Sequence, residues 1–332
     1  MHQVLVTGGA GFVGANLVHH LLRHTDARVT VLDAFTYAAS TESLVKLSPL
    51  RTHVVAGDVA DEQLVDSLVA THDTVVHLAA ESHNDNSLHD PAPFVHTNLV
   101  GTFTLLEAVR RHGVRFHHVS TDEVYGDLDL DSPERFTENS AYRPSSPYSA
   151  TKAGADHLVR AWVRSFGINA TISNCSNNYG PWQHVEKLVP RTITTALDGG
   201  RPRVYGDGLN VRDWIHTDDH AAAVLAILER GRIGATYLIG ADGERSNLDL
   251  VRSILRLCGR GEDEIDFVRD RAGHDRRYAI DSTTLRTELG WRPRFDDVEA
   301  GLAATVAWYR DHEHWWRSRK ARTEASYAAV GQ

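Results

Sequence analysis

The sequence predicts an α/β fold, a doubly wound parallel sheet with a smaller mixed α/β region behind it. Three observations carry that prediction. Short apolar, β-branched runs alternate with helical stretches as far as about residue 170, the pattern of a parallel sheet covered on both faces. The first run opens straight into a glycine-rich turn and a helix. The fifth ends in two adjacent carboxylates, Asp122 and Glu123, at the strand end where such sheets bind ligands.

Residues 4–7 form the first strand, followed by GGAGFVG and a helix over 15–22. Gly8, Gly11 and Gly14 are spaced GxxGxxG. They permit a tight turn, and the helix start then offers free N–H groups and a positive dipole end to a pyrophosphate. The second strand, 28–32, ends at Asp33. A carboxylate about 20 residues past the glycines hydrogen-bonds a ribose 2′-hydroxyl and repels a 2′-phosphate, which favours NAD over NADP. A purely structural glycine turn is the plainer alternative.

The third strand, 53–56, leads to Asp58, within reach of an adenine amine, and Val59. The fourth, 74–78, ends at Leu78 and runs into Ala79, Ala80, Glu81 and Ser82, small enough for a cofactor to lie against the backbone. A helix over 94–112 carries Thr97 and stops at Gly113. The fifth strand delivers VSTDEVYG. Its carboxylates have two readings: Asp122 caps the next helix and Glu123 is solvated, or the pair moves protons.

Residues 127–139 are acidic and turn-rich, a loop or lid. In YSATK, Tyr148 and Lys152 are i and i+4 on a helix over 148–166, so they share a face. An ammonium beside a phenol lowers the phenol pKa, which makes Tyr148 a candidate base at a sugar hydroxyl. Alone, the spacing also fits a surface tyrosine and lysine. Beyond 170 the alternation weakens. A strand over 171–174, a loop over 175–181, a helix entry at 184–188, a turn at 203–208 and a basic run at 270–278 follow. Lys187, Arg212 and Arg271, cations in mostly non-periodic segments, are candidates to meet over a diphosphate, although each alone reads as a solvated charge. The tail over 302–316 is a helix whose aromatic stripe (Trp308, Tyr309, Trp315, Trp316) reads as core.

Bulk properties narrow the classes. A net charge of −9 argues against nucleic acid or an anionic membrane as partner. Two distant cysteines fit a reducing, cytoplasmic setting. No run is long enough to span a bilayer, no leader is expected, and none of the 20 histidines has metal-ligand spacing.

Taken together, GGAGFVG, Asp33 and YSATK with Thr121 upstream resemble the extended short-chain dehydrogenase/reductase superfamily, in its nucleotide-sugar branch. STDEVYG, SPYSATKAGAD, NCSNNYGP, EKLVP, VYGDGLNVRDW and DRAGHDRRYAID resemble the dTDP-glucose 4,6-dehydratase family within it, over residues 4–316. That resemblance implies a role for each matching residue. Tyr148 is the base at the sugar 4-hydroxyl, Lys152 tunes it and binds the nicotinamide ribose, and Thr121 hydrogen-bonds the same hydroxyl. Asp122 is the acid for the departing 6-hydroxyl, and Glu123 is the base for the carbon-5 proton. NAD, tightly held and regenerated each turnover, lies against Gly8, Gly11, Phe12, Val13, Gly14, Asp33, Thr36, Asp58, Val59, Leu78, Ala79, Ala80, Thr97, Tyr148, Lys152 and Asn178. The substrate, dTDP-glucose, lies against Ser82, Thr121, Asn177, Lys187, Leu188, Arg203, Val204, Tyr205, Arg212, Asn247, Arg271, His274 and Tyr278.

The resemblance also implies a Rossmann domain over 1–175 with a returning segment near 211–240. A nucleotide-sugar domain takes 176–210 and 241–332, and the assembly is a homodimer. Two departures stand out. Asn84-Asp85-Asn86-Ser87 replaces the more usual Val-Asp-Arg-Ser, removing a cation near the site or lid. Trp182 stands where tyrosine is common, and altered nucleotide packing is the expectation. A 4-epimerase or decarboxylase on this fold would have no use for an acid–base pair aimed at carbons 5 and 6. A non-catalytic dinucleotide sensor would be expected to have lost the Tyr/Lys pair.

Overall fold

The computed structural model describes residues 1–45, 47–270 and 274–329. The strands are β1 (Gln3–Thr7), β2 (Arg28–Asp33), β3 (Thr52–Ala56), β4 (Thr74–His77), β5 (Arg115–Thr121), β6 (Ala170–Cys175), β7 (Asn177–Tyr179), β8 (Arg203–Tyr205), β9 (Val211–His216), β10 (Thr236–Ile239), β11 (Glu244–Ser246) and β12 (Asp266–Val268). The main sheet is parallel, in the order β10-β6-β5-β4-β1-β2-β3. From β1 the chain winds outward to β3, then crosses back to β4 on the other side. The crevice beyond β1 and β4 is therefore the switch point where ligands bind in such sheets. Small sheets β11-β9-β7 and β12-β8 lie beyond it. Residues 203–205, expected as a turn, pair with 266–268 as strands.

The helices are α1 (Phe12–His24), α2 (Glu62–Val69), α3 (Asn84–His89), α4 (Ala92–Phe94), α5 (Thr102–His112), α6 (Pro147–Phe166), α7 (Leu188–Leu197), α8 (Thr217–Arg230), α9 (Asn247–Leu257), α10 (Thr283–Leu289), α11 (Val298–Asp311) and α12 (Glu313–Ala329). One face of the sheet buries α1, α8 and α10, and the other buries α2, α5 and α6. Each fully buried Val, Leu or Ile there contributes about 1.5–3 kcal/mol. A third core joins α7, α9, α11 and α12. It holds the predicted aromatic stripe, which the chain breaks at His312 into two helices.

Helix α6 is fixed at both ends. Ser146 and Ser149 form a reciprocal cap, Pro147 occupies the first turn, and Gly167 closes it at φ 67°. The predicted 94–112 helix is interrupted by a wide π-helical stretch, Val95–Gly101. Asn98 explains the interruption. Its amide oxygen accepts from the Glu81 N–H (2.9 Å), and its Nδ2 donates to the Glu81 carbonyl (3.1 Å) and to Thr151 (3.0 Å). The insertion aims that side chain at the strand end, as such bulges commonly do. Among the described residues, no helix is long and apolar enough to cross a membrane.

Candidate active site

Beyond β1 and β4 lies a cleft of about 400 Å³. Its floor is backbone. Gly8 sits at φ 71°, and a Cβ there would stand 2.6 Å from the Ala79 nitrogen. A Cβ on Gly14 would stand 2.1 Å from the Gly8 carbonyl oxygen. The Gly11 N–H donates to that same oxygen at 3.1 Å, closing the turn. At the end of β2, Asp33 accepts from the N–H groups of Ala10 and Phe35, both at 2.9 Å. Burial pushes its carboxyl up, and these donors pull it back. Every residue assigned above to the cofactor lines this one cleft.

The cleft reaches Thr121, Asp122, Glu123, Tyr148 and Lys152, where β5 meets α6. Thr121 caps a short turn over Asp122–Tyr125, its hydroxyl accepting from the Glu123 N–H at 3.3 Å and donating to Asp122 at 3.3 Å. The two carboxylates occupy different surroundings. Asp122 is 2% exposed. Burial, the Glu123 charge and the Asp213 charge all push its carboxyl well above the usual range, against Arg212 and the Thr121 hydrogen bond. Glu123 is only half-buried, lines the neighbouring cavity, and accepts from the Asn84 amide at 3.2 Å.

Tyr148 departs from expectation. Burial, then the Glu123 charge, push its phenol well up, and the opposing influence is a hydrogen bond with Thr121. Lys152 does share its helix face. Its ammonium, however, is buried and donates to the Val119 carbonyl at 2.8 Å, and burial lowers its own pKa. The resting residue is thus a protonated phenol.

A second cavity of about 450 Å³ adjoins through Ser82, Glu123, Asn177 and Lys187. Leu188, Arg203, Tyr205, Arg212, Asn247, His274 and Tyr278 also line it. Arg212 donates to the carbonyls of Val211 (2.8 Å) and Asp275 (2.9 Å) and stacks 4.2 Å over Tyr278. It therefore holds the 275–278 segment in place as well as supplying charge. His274 bonds Asp270 at 2.8 Å. Val204 does not line the cavity; its side chain packs with Ala196, Val251, Leu255 and Ile265, because alternate residues of β8 face opposite ways. Arg271 lies outside the described residues. Trp182 packs against Trp308 (4.8 Å) and Trp315 (5.4 Å), away from both cavities, so its effect is on the third core.

Sequence reasoning missed Asn84 and Asp213. Asn84 carries no motif signal beyond its departure from the usual valine. Asp213, buried on β9 and pushed up to about 7 mainly by burial, becomes relevant only when β9 is brought beside Asp122.

The cleft fits a dinucleotide. Its glycines leave no room for side chains, Asp33 stands at a strand end, and Asn178 Oδ1 is buried without a hydrogen-bond partner among the described residues, an atom for a ligand to satisfy. Residues 5–303 match the family model described as GDP-mannose 4,6-dehydratase. The dTDP-glucose 4,6-dehydratase of Mycobacterium tuberculosis is 63% identical over 331 residues, covering 99% of this chain and 100% of that one. The chain belongs to the dTDP-glucose 4,6-dehydratases, within that wider family. The enzyme of Escherichia coli K12 is 44% identical, covering 94% of each chain. A solved dTDP-glucose 4,6-dehydratase from Streptomyces venezuelae, with NAD bound, superposes at TM-score 0.91 and 44% identity, covering 96% of this chain and 99% of that one. Membership of the dTDP-glucose 4,6-dehydratases makes this an NAD-dependent hydro-lyase acting on dTDP-glucose. The dehydratase fold is not exclusive to that reaction. A UDP-glucose 4-epimerase from Thermotoga maritima superposes at 0.86 with 28% identity, covering 93% of this chain and 99% of that one, so the fold leaves the choice of reaction to the site.

Proposed function

We propose that the acid pair divides the elimination between its two members, with Tyr148 and Thr121 serving the preceding step. NAD held in the cleft would supply the redox half of the chemistry, taking a hydride from carbon 4 and returning it at carbon 6, and Tyr148 and Lys152 line the same cleft. Tyr148 first releases its own phenol proton to solvent, a loss that a cation beside it favours; the phenolate then takes the proton of the 4-hydroxyl while Thr121 hydrogen-bonds the same oxygen. A ketone at carbon 4 acidifies the proton on carbon 5. Glu123 removes it, and Asp122 protonates the 6-hydroxyl, because hydroxide leaves poorly unassisted. Glu123 then returns its proton to carbon 5. The product is dTDP-4-keto-6-deoxyglucose plus water.

One observation carries this reading: Asp122 is buried among charges that hold its proton, while its neighbour faces the substrate cavity beneath an amide donor. Opposite duties for adjacent carboxyls need such unlike surroundings. Given dTDP-glucose, the enzyme should produce the alkali-induced absorbance of a 4-keto sugar, whereas dTDP-galactose would indicate an epimerase. Glu123→Gln should lower solvent deuterium incorporation at carbon 5 by about 10²–10⁴-fold; wild-type incorporation would sink its role. Asp122→Asn should be rescued by a substrate carrying fluoride at carbon 6.

Residues 1–175, with the returning segment near 211–240 whose β10 joins the main sheet, form the cofactor unit in this proposal. The segments 176–210 and 241–332 form the substrate unit. A homodimer is supported by an apolar patch on the 95–101 stretch, α5 and α6, where Val95, Val100, Phe103 and Phe166 are each 43–53% exposed. Sedimentation would test it. Free Cys175 and Cys258 fit a cytoplasmic setting.

A further inference from the structure

Asn84 begins α3 and lines the substrate cavity together with Glu123. Its Nδ2 donates to Glu123 Oε2 at 3.2 Å. At the other end of the same amide, Oδ1 is buried and has no hydrogen-bond partner among the described residues. A buried acceptor left unpaired is costly, and this one belongs to a residue on the wall of the substrate cavity. The backbone that carries the amide is held by the first turn of α3: the Asn84 main-chain carbonyl accepts from the Ser87 hydroxyl at 2.7 Å, and the Ser87 N–H donates to the His83 main-chain carbonyl at 3.1 Å. Glu123 meets other groups as well, since its charge acts on Asp122, Tyr148 and Tyr278. Those three are acids or phenols. Asn84 contributes an amide donor to the carboxylate.

We propose that Asn84 is a positioning residue of this active site: its amide N–H aims the Glu123 carboxylate at carbon 5, and its side-chain Oδ1 receives a hydroxyl of the hexose. This rests on Glu123 being the carbon-5 base. A hydrogen bond to a carboxylate restricts its rotation, and the same rigid amide plane then fixes the sugar relative to the base. Positioning of this kind acts on the proton-transfer step and leaves cofactor binding untouched.

The test isolates that step. Holoenzyme incubated with the product, dTDP-4-keto-6-deoxyglucose, in heavy water exchanges the carbon-5 proton through Glu123 alone, and NMR reads the rate. Asn84→Leu, which removes donor and acceptor, should slow exchange by about 10- to 100-fold, the loss expected for one hydrogen bond to a charged group, and should raise KM for dTDP-glucose. Asn84→Asp keeps the shape and an acceptor but loses the donor. Its exchange should fall at least as far, with KM within about twofold of wild type. NAD content and melting temperature report folding, and the isosteric aspartate decides the matter if the leucine variant is destabilised. Wild-type exchange in Asn84→Asp overturns the aiming role. An unchanged KM in Asn84→Leu overturns the hydroxyl contact. Glu123→Gln separates the two levels: if it exchanges normally, the base assignment itself fails, whereas its loss beside normal Asn84 variants fails only Asn84.

Discussion

The two walls of the active site are built in opposite ways. The cofactor wall is backbone and small side chains at the ends of successive strands: Gly8 and Gly14 where no Cβ fits, Ala79 and Ala80 opposite, and Asp33 pinned by two N–H groups. The substrate wall is long side chains on loops and short elements, such as Lys187, Arg203, Arg212 and Tyr278. The first recognises by close approach and excludes alternatives sterically. The second recognises by charge and stacking, and its members are anchored to one another, as Arg212 is to the Asp275 carbonyl and the Tyr278 ring. The cofactor wall should therefore fail abruptly, and the substrate wall in graded steps.

Gly14→Ala would break the contrast most severely. Its Cβ would meet a backbone oxygen at 2.1 Å, and neither the turn nor α1 can yield without disturbing β1. Overpacking of this kind costs about 1–3 kcal/mol or more. Purified protein should lack NAD by absorbance and melt well below wild type. Retention of a full complement of NAD would show that this wall yields more than its contacts suggest.

Arg212→Ala is the counterpart on the other wall. It removes one donor from the Val211 and Asp275 carbonyls, which keep the Tyr278 N–H at 3.1 Å and the Asn210 amide at 3.0 Å, and it removes a cation from the substrate cavity. KM for dTDP-glucose should rise by about 100-fold, the scale of a lost charged hydrogen bond, while NAD content stays at wild-type level. Loss of NAD along with substrate affinity would mean that the walls are not independent.

The same contrast explains what the sequence disclosed. The cofactor wall was legible because its residue types are fixed by local backbone demands within contiguous strand–turn–helix units. The ends of α5 and α6 were legible for the same reason, with Gly113 and Gly167 both at φ 67°. Less legible were features that depend on distant segments. The 203–205 strand exists only because 266–268 pairs with it. The π-helical stretch depends on Asn98 reaching back to Glu81. Val204 belongs to a motif expected to face the ligand, yet strand alternation turns its side chain inward. For Tyr148, spacing put Lys152 on the same helix, but the buried ammonium donates to the Val119 carbonyl, and burial and the Glu123 charge push the phenol up.

The subtlest effect concerns Asp213, which belongs to neither wall's contact surface and reaches the chemistry through charge. Burial raises its carboxyl from 3.8 to about 7, against the Gly243 N–H that donates to it at 2.8 Å. Below about pH 7 it is neutral, so Asp213→Asn and wild type should share one kcat profile. Above that pH an ionised Asp213 helps Asp122 keep the proton it must donate. The variant lacks that push, so its high-pH limb should move down by about one unit. Stability should move the opposite way. With a native pKa above the unfolded one, the folded wild type binds more protons between 3.8 and about 7 and loses stability as pH rises through that window. Asparagine keeps the acceptor for Gly243 and removes that loss, so the variant should melt higher than wild type above about pH 7. A superposable kcat limb in a variant stabilised in this way would show that Asp122 holds its proton through burial and Glu123 alone.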